Sequence, residues 1–216
     1  GSYVAADLTG PPMKKREVKV FNLESNKPTT VFEDSTAGWL YNTEIALAPS
    51  GDKLMLLSEK DGWNHIYTVN PDGSEFRQHT KGTFEVSWVE WLNSDEIIYA
   101  SSEVDPGERH LYRMNISKNE TEKLTTQTGF RQNFELSHDN KFVIYQYSYF
   151  NEPFELYSLN LNKDDSEKRL TQTIPERCSE IDWQKEDYTR FTARDGETEL
   201  SMSVLEPIDN TDQSVH

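Results

Sequence analysis

The residues of this chain whose types could do hydrolytic chemistry stand too close together in the sequence to do it. Ser137, His138 and Asp139 are consecutive, whereas a catalytic triad needs three groups that converge from separate elements of the fold. Their position before Asn140 is typical of a β-turn, where Asp and Asn are favoured. We therefore interpret them as turn residues and expect no catalytic residue in this chain.

The sequence likewise predicts neither a metal site nor a cofactor site. His65 and His110 occupy equivalent positions beside hydrophobic segments, and no further ligand stands at a spacing that suits zinc. We expect each histidine to pack and hydrogen-bond within a sheet. The acidic pairs at Asp164-Asp165 and at Asp209 and Asp212 do not fit a calcium-binding loop, which has a central Gly and a terminal Glu.

The charge of the chain argues against two classes of partner, nucleic acids and membranes. Its formal net charge is −16, whereas nucleic-acid phosphates and anionic lipids attract clustered Lys and Arg. No apolar run approaches the roughly 20 residues needed to span a bilayer. The lone cysteine, Cys178, cannot form an internal disulfide and is expected to be a structural thiol.

A repeated phrase organises the chain. HIYTVN, HLYRMN and ELYSLN place Tyr67, Tyr112 and Tyr157 at successive steps of 45 residues. The threonine that closes each unit is Thr80, Thr125 or Thr171. Short alternating strands joined by tight turns, with a period of about 40 to 50 residues, are typical of β-propeller blades; an ordinary β-sandwich rarely keeps such a period. The sequence therefore predicts an all-β fold, a partial β-propeller of four-stranded antiparallel blades, with three full blades and part-blades at both ends.

The repeat also predicts the core. A four-stranded sheet cannot bury both of its faces alone, so each blade is stabilised by neighbours packed against it. We expect the three repeat tyrosines, together with the flanking Ile66, Leu111 and Leu156, to fill the space between adjacent blades.

The boundaries follow from where the repeat pattern holds. Residues 1–16, with two adjacent prolines and scattered charge, are expected to be an irregular lead-in, and residues 17–189 the propeller segment. That segment would open with the last two strands of a blade, and residues 179–183 would begin one more blade. Residues 190–207 predict a strand pair outside the repeat, and residues 208–216 carry no pattern.

Several motifs together resemble one family. GWNHIY (62–67), TKGTFEV (80–86) and ERHLYRMN (108–115) resemble the propeller of dipeptidyl peptidase IV-like serine peptidases, within the prolyl oligopeptidase family, as does STAGWLYNTE (35–44). RFTARDGETEL (190–200) resembles the crossover strands that lead, in this family, into an α/β-hydrolase domain. The resemblance implies that this chain is the later part of the N-terminal propeller.

The resemblance also implies a function for the parent protein. Members remove N-terminal dipeptides, typically after Pro or Ala, while the propeller gates the access of peptide substrates. The family's nucleophile lies in a Gly-x-Ser-x-Gly elbow, which this sequence does not contain, so we expect no hydrolysis by this chain alone. Its expected domain partner is the α/β-hydrolase domain of the same parent chain. A homodimeric parent and a periplasmic or secreted location would both fit, and the sequence leaves the oligomeric state and the compartment open.

Trp39 and Tyr41 are the candidate substrate-cavity residues. In the family the matching loop faces the cavity between propeller and hydrolase, where aromatic rings can form a stacking wall for a peptide; packing within a blade is the alternative. A second candidate function is a non-enzymatic, TolB-like protein-interaction propeller. A propeller of that kind closes its ring by completing the last blade, whereas residues 190–200 indicate a new strand pair.

Overall fold

The computed structural model describes residues 1–40, 43–150, 152–163, 166–181 and 187–206. Tyr41 and the acidic pairs considered above therefore lie outside the described residues. The described chain is built of antiparallel β-sheets, each formed by strands that are consecutive in sequence. No helix in these ranges is long and apolar enough to cross a membrane.

The first sheet, blade 1, has three strands. They are β1 (Tyr3–Gly10), β2 (Lys15–Asn22) and β3 (Lys27–Ser35). The expectation of an irregular lead-in over residues 1–16 is wrong, because β1 pairs with β2 along its whole length, from Tyr3 opposite Asn22 to Gly10 opposite Lys15. The two prolines lie in the hairpin turn between these strands, where a missing backbone N–H breaks no ladder.

Three four-stranded sheets follow and confirm the predicted partial propeller. Blade 2 consists of β4 (Ile45–Leu47), β5 (Leu54–Ser58), β6 (His65–Val69) and β7 (Arg77–Gln78). Blade 3 consists of β8 (Val86–Trp91), β9 (Glu96–Ser101), β10 (His110–Asn115) and β11 (Glu120–Lys123). Blade 4 consists of β12 (Phe130–Leu136), β13 (Phe142–Tyr149), β14 (Glu152–Asn160) and β15 (Lys168–Arg169).

The hairpin turns explain why the strands stop where they do. Gly73, between β6 and β7, has φ +86°, and Gly196, in the last hairpin, has φ +78°. A residue with a Cβ is strained in this left-handed region, so glycine is favoured there. The two central strands of blade 2, β5 and β6, are buried at every residue, because neighbouring blades cover both of their faces.

The hydrophobic core consists of three layers, one between each pair of neighbouring blades. Tyr67 lies in the layer between blades 1 and 2, with Val18 and Leu56. Tyr112 lies between blades 2 and 3, and Tyr157 between blades 3 and 4. The three tyrosines are 3%, 5% and 8% exposed.

The far face of blade 4 has no layer over it in the described structure. Ile66 and Leu111 are fully buried, but Leu156, at the equivalent repeat position, is 40% exposed. The expectation that Leu156 fills an inter-blade space is therefore wrong for this structure. Phe142 and Ile144 on the neighbouring strand are exposed to the same extent, because no further blade packs against that side among the described residues.

The end of the described chain departs from the repeat. A short 3₁₀ helix spans Glu176–Glu180, where the sequence had predicted that a strand would begin; residues 182–186 are outside the described residues. The strands β16 (Asp187–Thr192) and β17 (Glu199–Val204) then form a two-stranded hairpin of their own. Among the described strands, neither of them joins a blade.

Candidate functional site

One end of the blades gathers the loops that lead into first strands and those that join second to third strands. We call this end the exit face, because the β16–β17 hairpin lies against it. It is formed by residues 36–40, 59–64, 81–85, 102–109, 126–129 and 149–150. Tyr188 of β16 lines a pocket there, and the Arg190 guanidinium is 3.9 Å from the Asp105 carboxylate.

A repeated side-chain bond braces each blade where its third strand begins at this face. In blade 2 the Thr80 hydroxyl accepts the N–H of Ile66 (3.0 Å) and lies 3.0 Å from Nδ1 of His65. Nε2 of His65 lies 3.1 Å from the Gly82 carbonyl oxygen, which can only accept. The hydrogen-bond network therefore assigns the ring proton to Nε2, and Nδ1 accepts from the threonine.

Blade 3 repeats this arrangement with a carboxylate added. Thr125 binds the N–H of Leu111 and Nδ1 of His110, at 3.1 and 3.0 Å. Nε2 of His110 donates to the Glu108 carboxylate at 2.7 Å. Burial lowers the pKa of His110, although the bond to Glu108 acts in the opposite direction. A neutral, fully bonded ring of this kind serves the structure of the blade.

In blade 4 a glutamate replaces the histidine. The Glu155 carboxylate accepts hydrogen bonds from the Thr171 hydroxyl and from the backbone and side chain of Thr173. It also pairs with Arg169 at 3.1 Å. The bond from Thr171 is the main cause that lowers the pKa of Glu155 to about 2, with the bonds from Thr173 and Arg169 adding to it. Each of the three positions is therefore saturated by bonds within its own blade.

Two buried arginines tie neighbouring segments together behind the exit face. Arg131 is fully buried, and its guanidinium donates to Glu167 (2.7 and 3.1 Å) and to the carbonyl oxygens of Arg109 and Gln127. Arg16 is 2% exposed; it binds the Asp7 carboxylate with Nε and one terminal nitrogen and donates to the carbonyl oxygen of Leu57 in blade 2. Bonds of this kind hold the exit-face loops in fixed positions.

The innermost strands carry a row of carboxylates. The first strand of blade 3 lies close to the start of the first strand of blade 2: the N–H of Val89 is 3.4 Å from the Glu44 carboxylate. Glu90 of β8 and Glu135 of β12 pair with Ile98 and Ile144 and hold equivalent positions in blades 3 and 4, whereas Glu44 directly precedes β4. Burial, and secondarily Glu90, raises the pKa of Glu44, while burial and then Glu135 raise that of Glu90. The secondary, repulsive contribution shows that the carboxylates of Glu44, Glu90 and Glu135 act on one another, so their negative charges add along this side of the blades.

An aromatic pocket of about 190 Å³ lies between blades 3 and 4 on the exit face. Its walls include Phe130, Tyr149, Phe150 and Tyr188, with Asp105 and Glu108 also lining it. Gly129 in its wall has φ +146°, and a Cβ there would lie 2.6 Å from the Tyr147 ring. Only glycine permits this close approach. The pocket can hold an apolar group beside a carboxylate, and the β16–β17 hairpin supplies one of its walls.

Comparison with known proteins decides the family. The family model described as the dipeptidyl peptidase IV (DPP IV) N-terminal region matches residues 6–154, which is more than half of the chain. The chain belongs to this family. A probable dipeptidyl peptidase 4 of Aspergillus flavus is 30% identical over 124 residues, which cover 53% of this chain and 16% of that protein. Dipeptidyl peptidase 4 of Sus scrofa is 34% identical over 91 residues, which cover 39% and 12%.

Solved structures support the fold of this DPP IV N-terminal region. The dipeptidyl peptidase 4 of Porphyromonas gingivalis superposes with a TM-score of 0.77 at 19% identity, over 96% of this chain and 30% of that one. A putative dipeptidyl aminopeptidase IV from Bacteroides ovatus gives 0.71 at 17% identity, over 95% and 32%. The chain thus spans about a third of these structures and a sixth or less of the curated relatives.

Among the described residues of this DPP IV-like chain, Trp39 and the turn that holds Ser137 and Asp139 lie apart from one another. Trp39 is 72% exposed on the exit face, in a segment held by the bond from the Leu40 N–H to the Met13 carbonyl oxygen. It does not line the aromatic pocket, and Tyr41 lies outside the described residues. Ser137 and Asp139 lie in the turn between β12 and β13, where the serine hydroxyl donates to Asp139 at 2.8 Å.

Sequence reasoning missed the aromatic pocket and the buried arginines. The Arg131–Glu167 pair joins residues 36 positions apart, and no local pattern indicates such a contact. The adjacent aromatics at Tyr149 and Phe150, directly at the end of a strand, were the available signal for the pocket. Within the described residues, no group of three or more His, Cys, Asp or Glu side chains is placed to hold a metal ion.

Proposed function

We propose that this chain forms the later blades of the N-terminal propeller in a DPP IV-like serine peptidase, which removes N-terminal dipeptides from peptides, typically after Pro or Ala. The observation that carries this proposal is the family match over residues 6–154. Dipeptidyl peptidase 4 proteins among the relatives and structural neighbours support it. The nucleophile and its base belong to the α/β-hydrolase domain of the same parent chain, and that domain supplies the acyl-transfer chemistry.

In this proposal residues 190–207 are the crossover into the hydrolase domain. The β16–β17 hairpin supports this role, because it pairs with no described blade strand and meets the propeller at Tyr188 and Arg190. The hydrolase domain then faces the exit face. The same hairpin argues against the TolB-like interaction propeller, which would complete its last blade with these strands.

The exit face then acts as one wall of the substrate chamber. Trp39 projects from it as an exposed ring, and we propose that Trp39 and Tyr41 stack against the peptide chain beyond the dipeptide that is removed. The row of carboxylates at Glu44, Glu90 and Glu135 attracts the positively charged amino terminus of a peptide toward the inner side of the blades. The propeller thus admits and orients substrates, and the hydrolase domain cleaves them.

The test uses the full-length parent enzyme with Trp39→Ala and, as a matched control that keeps an aromatic ring, Trp39→Phe. For a peptide of five or more residues we expect Trp39→Ala to raise KM by roughly threefold to tenfold with kcat little changed, because stacking binds ground state and transition state alike. Trp39→Phe should retain most of the wild-type KM, and a dipeptidyl chromogenic amide, which does not reach the wall, should respond to neither variant.

Two outcomes contradict the proposal in separable ways. Unchanged kinetics for the long peptide would remove Trp39 from the chamber wall but leave the peptidase assignment standing. A full-length protein that folds and turns over neither substrate would contradict the peptidase assignment itself and favour the interaction propeller.

A further inference from the structure

A second concave site lies at the end of the blades opposite the exit face. It is a groove of about 520 Å³ between blades 2 and 3. The side chains that matter here are Lys53, Thr68, Phe76, Arg77 and His79 of blade 2. We call it the basic groove. Neither the DPP IV-like activity proposed above nor the crossover hairpin uses it.

The charge of the basic groove is opposite to that of the protein. The whole chain carries 38 acidic and 22 basic residues, yet two cations and an imidazole meet here, with Glu75 as the one carboxylate in the wall among the described residues. Lys53 has only a long contact, 3.4 Å, with the exposed Asp52. In the described part of the chain no carboxylate forms an ion pair with Arg77. Its charge is therefore available to a ligand.

His79 in the wall has an unsatisfied ring nitrogen. The residue is 9% exposed, and Nε2 lies 2.7 Å from the Thr68 hydroxyl. Nδ1 is buried and has no hydrogen-bond partner among the described residues. Leaving a buried polar atom unpaired is unfavourable. Burial, and secondarily the charges of Arg77 and Lys53, lowers the pKa of His79 to about 4.

We propose that the basic groove binds a small organic anion through its phosphate or carboxylate group. Arg77 and Lys53 supply charge-assisted hydrogen bonds to the oxyanion. The negative ligand also offsets the positive charge of these two residues, which disfavours the protonated form of His79. Phe76 also lines the groove; it is 42% exposed, and its ring is held by stacking on Tyr67 at 5.3 Å and on Phe32 at 5.6 Å. The site takes one anion and performs no covalent chemistry.

The imidazole provides a direct reporter. The charged groups that line the groove with it are the cations Lys53 and Arg77 and the carboxylate of Glu75, all from blade 2. From blade 3 the groove is lined by Ile116 and by Ser117, whose hydroxyl donates to Asp95 at 2.8 Å. An anion beside the ring favours the protonated form. Binding should therefore raise the pKa of His79 and should tighten as the pH falls.

The experiment is a calorimetric titration of the purified chain with inorganic phosphate and, separately, with benzoate, at about pH 6 and at ionic strength kept constant with chloride. In parallel, the pKa of His79 is measured by NMR with and without each anion. The pocket variant is Lys53→Gln/Arg77→Gln. The control is Lys81→Gln/Arg194→Gln, which removes the same charge from positions outside the groove.

We expect saturable binding of at least one anion, a rise in the pKa of His79 on binding, and affinity weakened about tenfold or more in the pocket variant but not in the control. Phosphate binding alone identifies a phosphate group as the ligand chemistry, and benzoate binding alone identifies a carboxylate. The proposal is overturned if neither anion binds, if both variants lose affinity equally, or if the His79 pKa stays unchanged at saturating anion. Thermal melting of each variant confirms that it is folded.

Discussion

Tyr112 offers the sharpest test of how the blades are held together. Its ring is 5% exposed and stacks on Tyr99 with centroids 5.1 Å apart and planes inclined by 15°. It lies in one layer with Met55 and Leu57 of the preceding blade. Tyr112→Ala removes this ring from the middle of an interface that only the stacking of blades creates.

The size of the effect follows from the burial. Truncating a buried aromatic side chain to alanine costs about 3 to 5 kcal/mol, because contacts are lost and a cavity remains. Stacking on Tyr99 adds to this loss, since aromatic pairs contribute about 0.5 to 1.5 kcal/mol beyond burial. We therefore expect Tyr112→Ala to fall within this range. Against a typical domain stability of about 5 to 15 kcal/mol, this is a large fraction.

The assay is equilibrium urea unfolding of wild type, Tyr112→Ala and Tyr112→Phe, followed by tryptophan fluorescence. Tyr112→Phe keeps the ring, so its free energy of unfolding should fall by less than about 1.5 kcal/mol. Substitutions at exposed positions usually change the free energy of unfolding by no more than about 0.5 kcal/mol. If the value for Tyr112→Ala lies that close to the wild-type value, the ring does not stabilise a blade interface and the packing argument is refuted.

Two further predictions concern positions that the repeat makes equivalent. Leu111→Ala should lower the free energy of unfolding by about 2 to 5 kcal/mol, whereas Leu156→Ala in this chain should lower it by less than about 1 kcal/mol. The reason is that Leu111 is fully buried and Leu156 is 40% exposed. Equal losses in the same urea assay would contradict the conclusion that this face of blade 4 is uncovered. Glu155 has a pKa lowered from 4.5 to about 2 in the folded chain, so the stability it contributes is present above about pH 4.5 and is lost as the pH falls toward 2. The free energy of unfolding of wild type and of Thr171→Val is measured between pH 7 and pH 2. It should fall less steeply with decreasing pH in the variant, which lacks the main hydrogen bond to that carboxylate. Parallel curves for the two proteins would contradict this cause.

The blades were predictable because their signals are local. Alternation within strands, the turns that bound them and the 45-residue step of Tyr67, Tyr112 and Tyr157 all lie within short segments of sequence. The structure places β10 at His110–Asn115, which is the repeated segment HLYRMN. Each level of the pattern agrees with the others, which is the condition for a reliable prediction.

The errors arose where one pattern fits two structures. The adjacent prolines near the amino terminus fit both an irregular segment and a hairpin turn, and only the pairing of β1 with β2 distinguishes them. Leu156 has the same sequence context as Ile66 and Leu111, but its burial depends on whether another blade covers it. Arg131 and Glu167 meet through the packing of blade 4, and a contact over 36 residues leaves no local trace.

The most direct test of the central claim compares this chain with its full-length parent in one assay, the hydrolysis of a Gly-Pro chromogenic amide. The account predicts that the full-length protein releases the chromophore and that the purified 216-residue chain does not, because a serine nucleophile, its base and an oxyanion hole are all required. Turnover that co-purifies with the folded chain after contaminating serine peptidases have been inhibited would contradict the account, as would a folded full-length protein without activity.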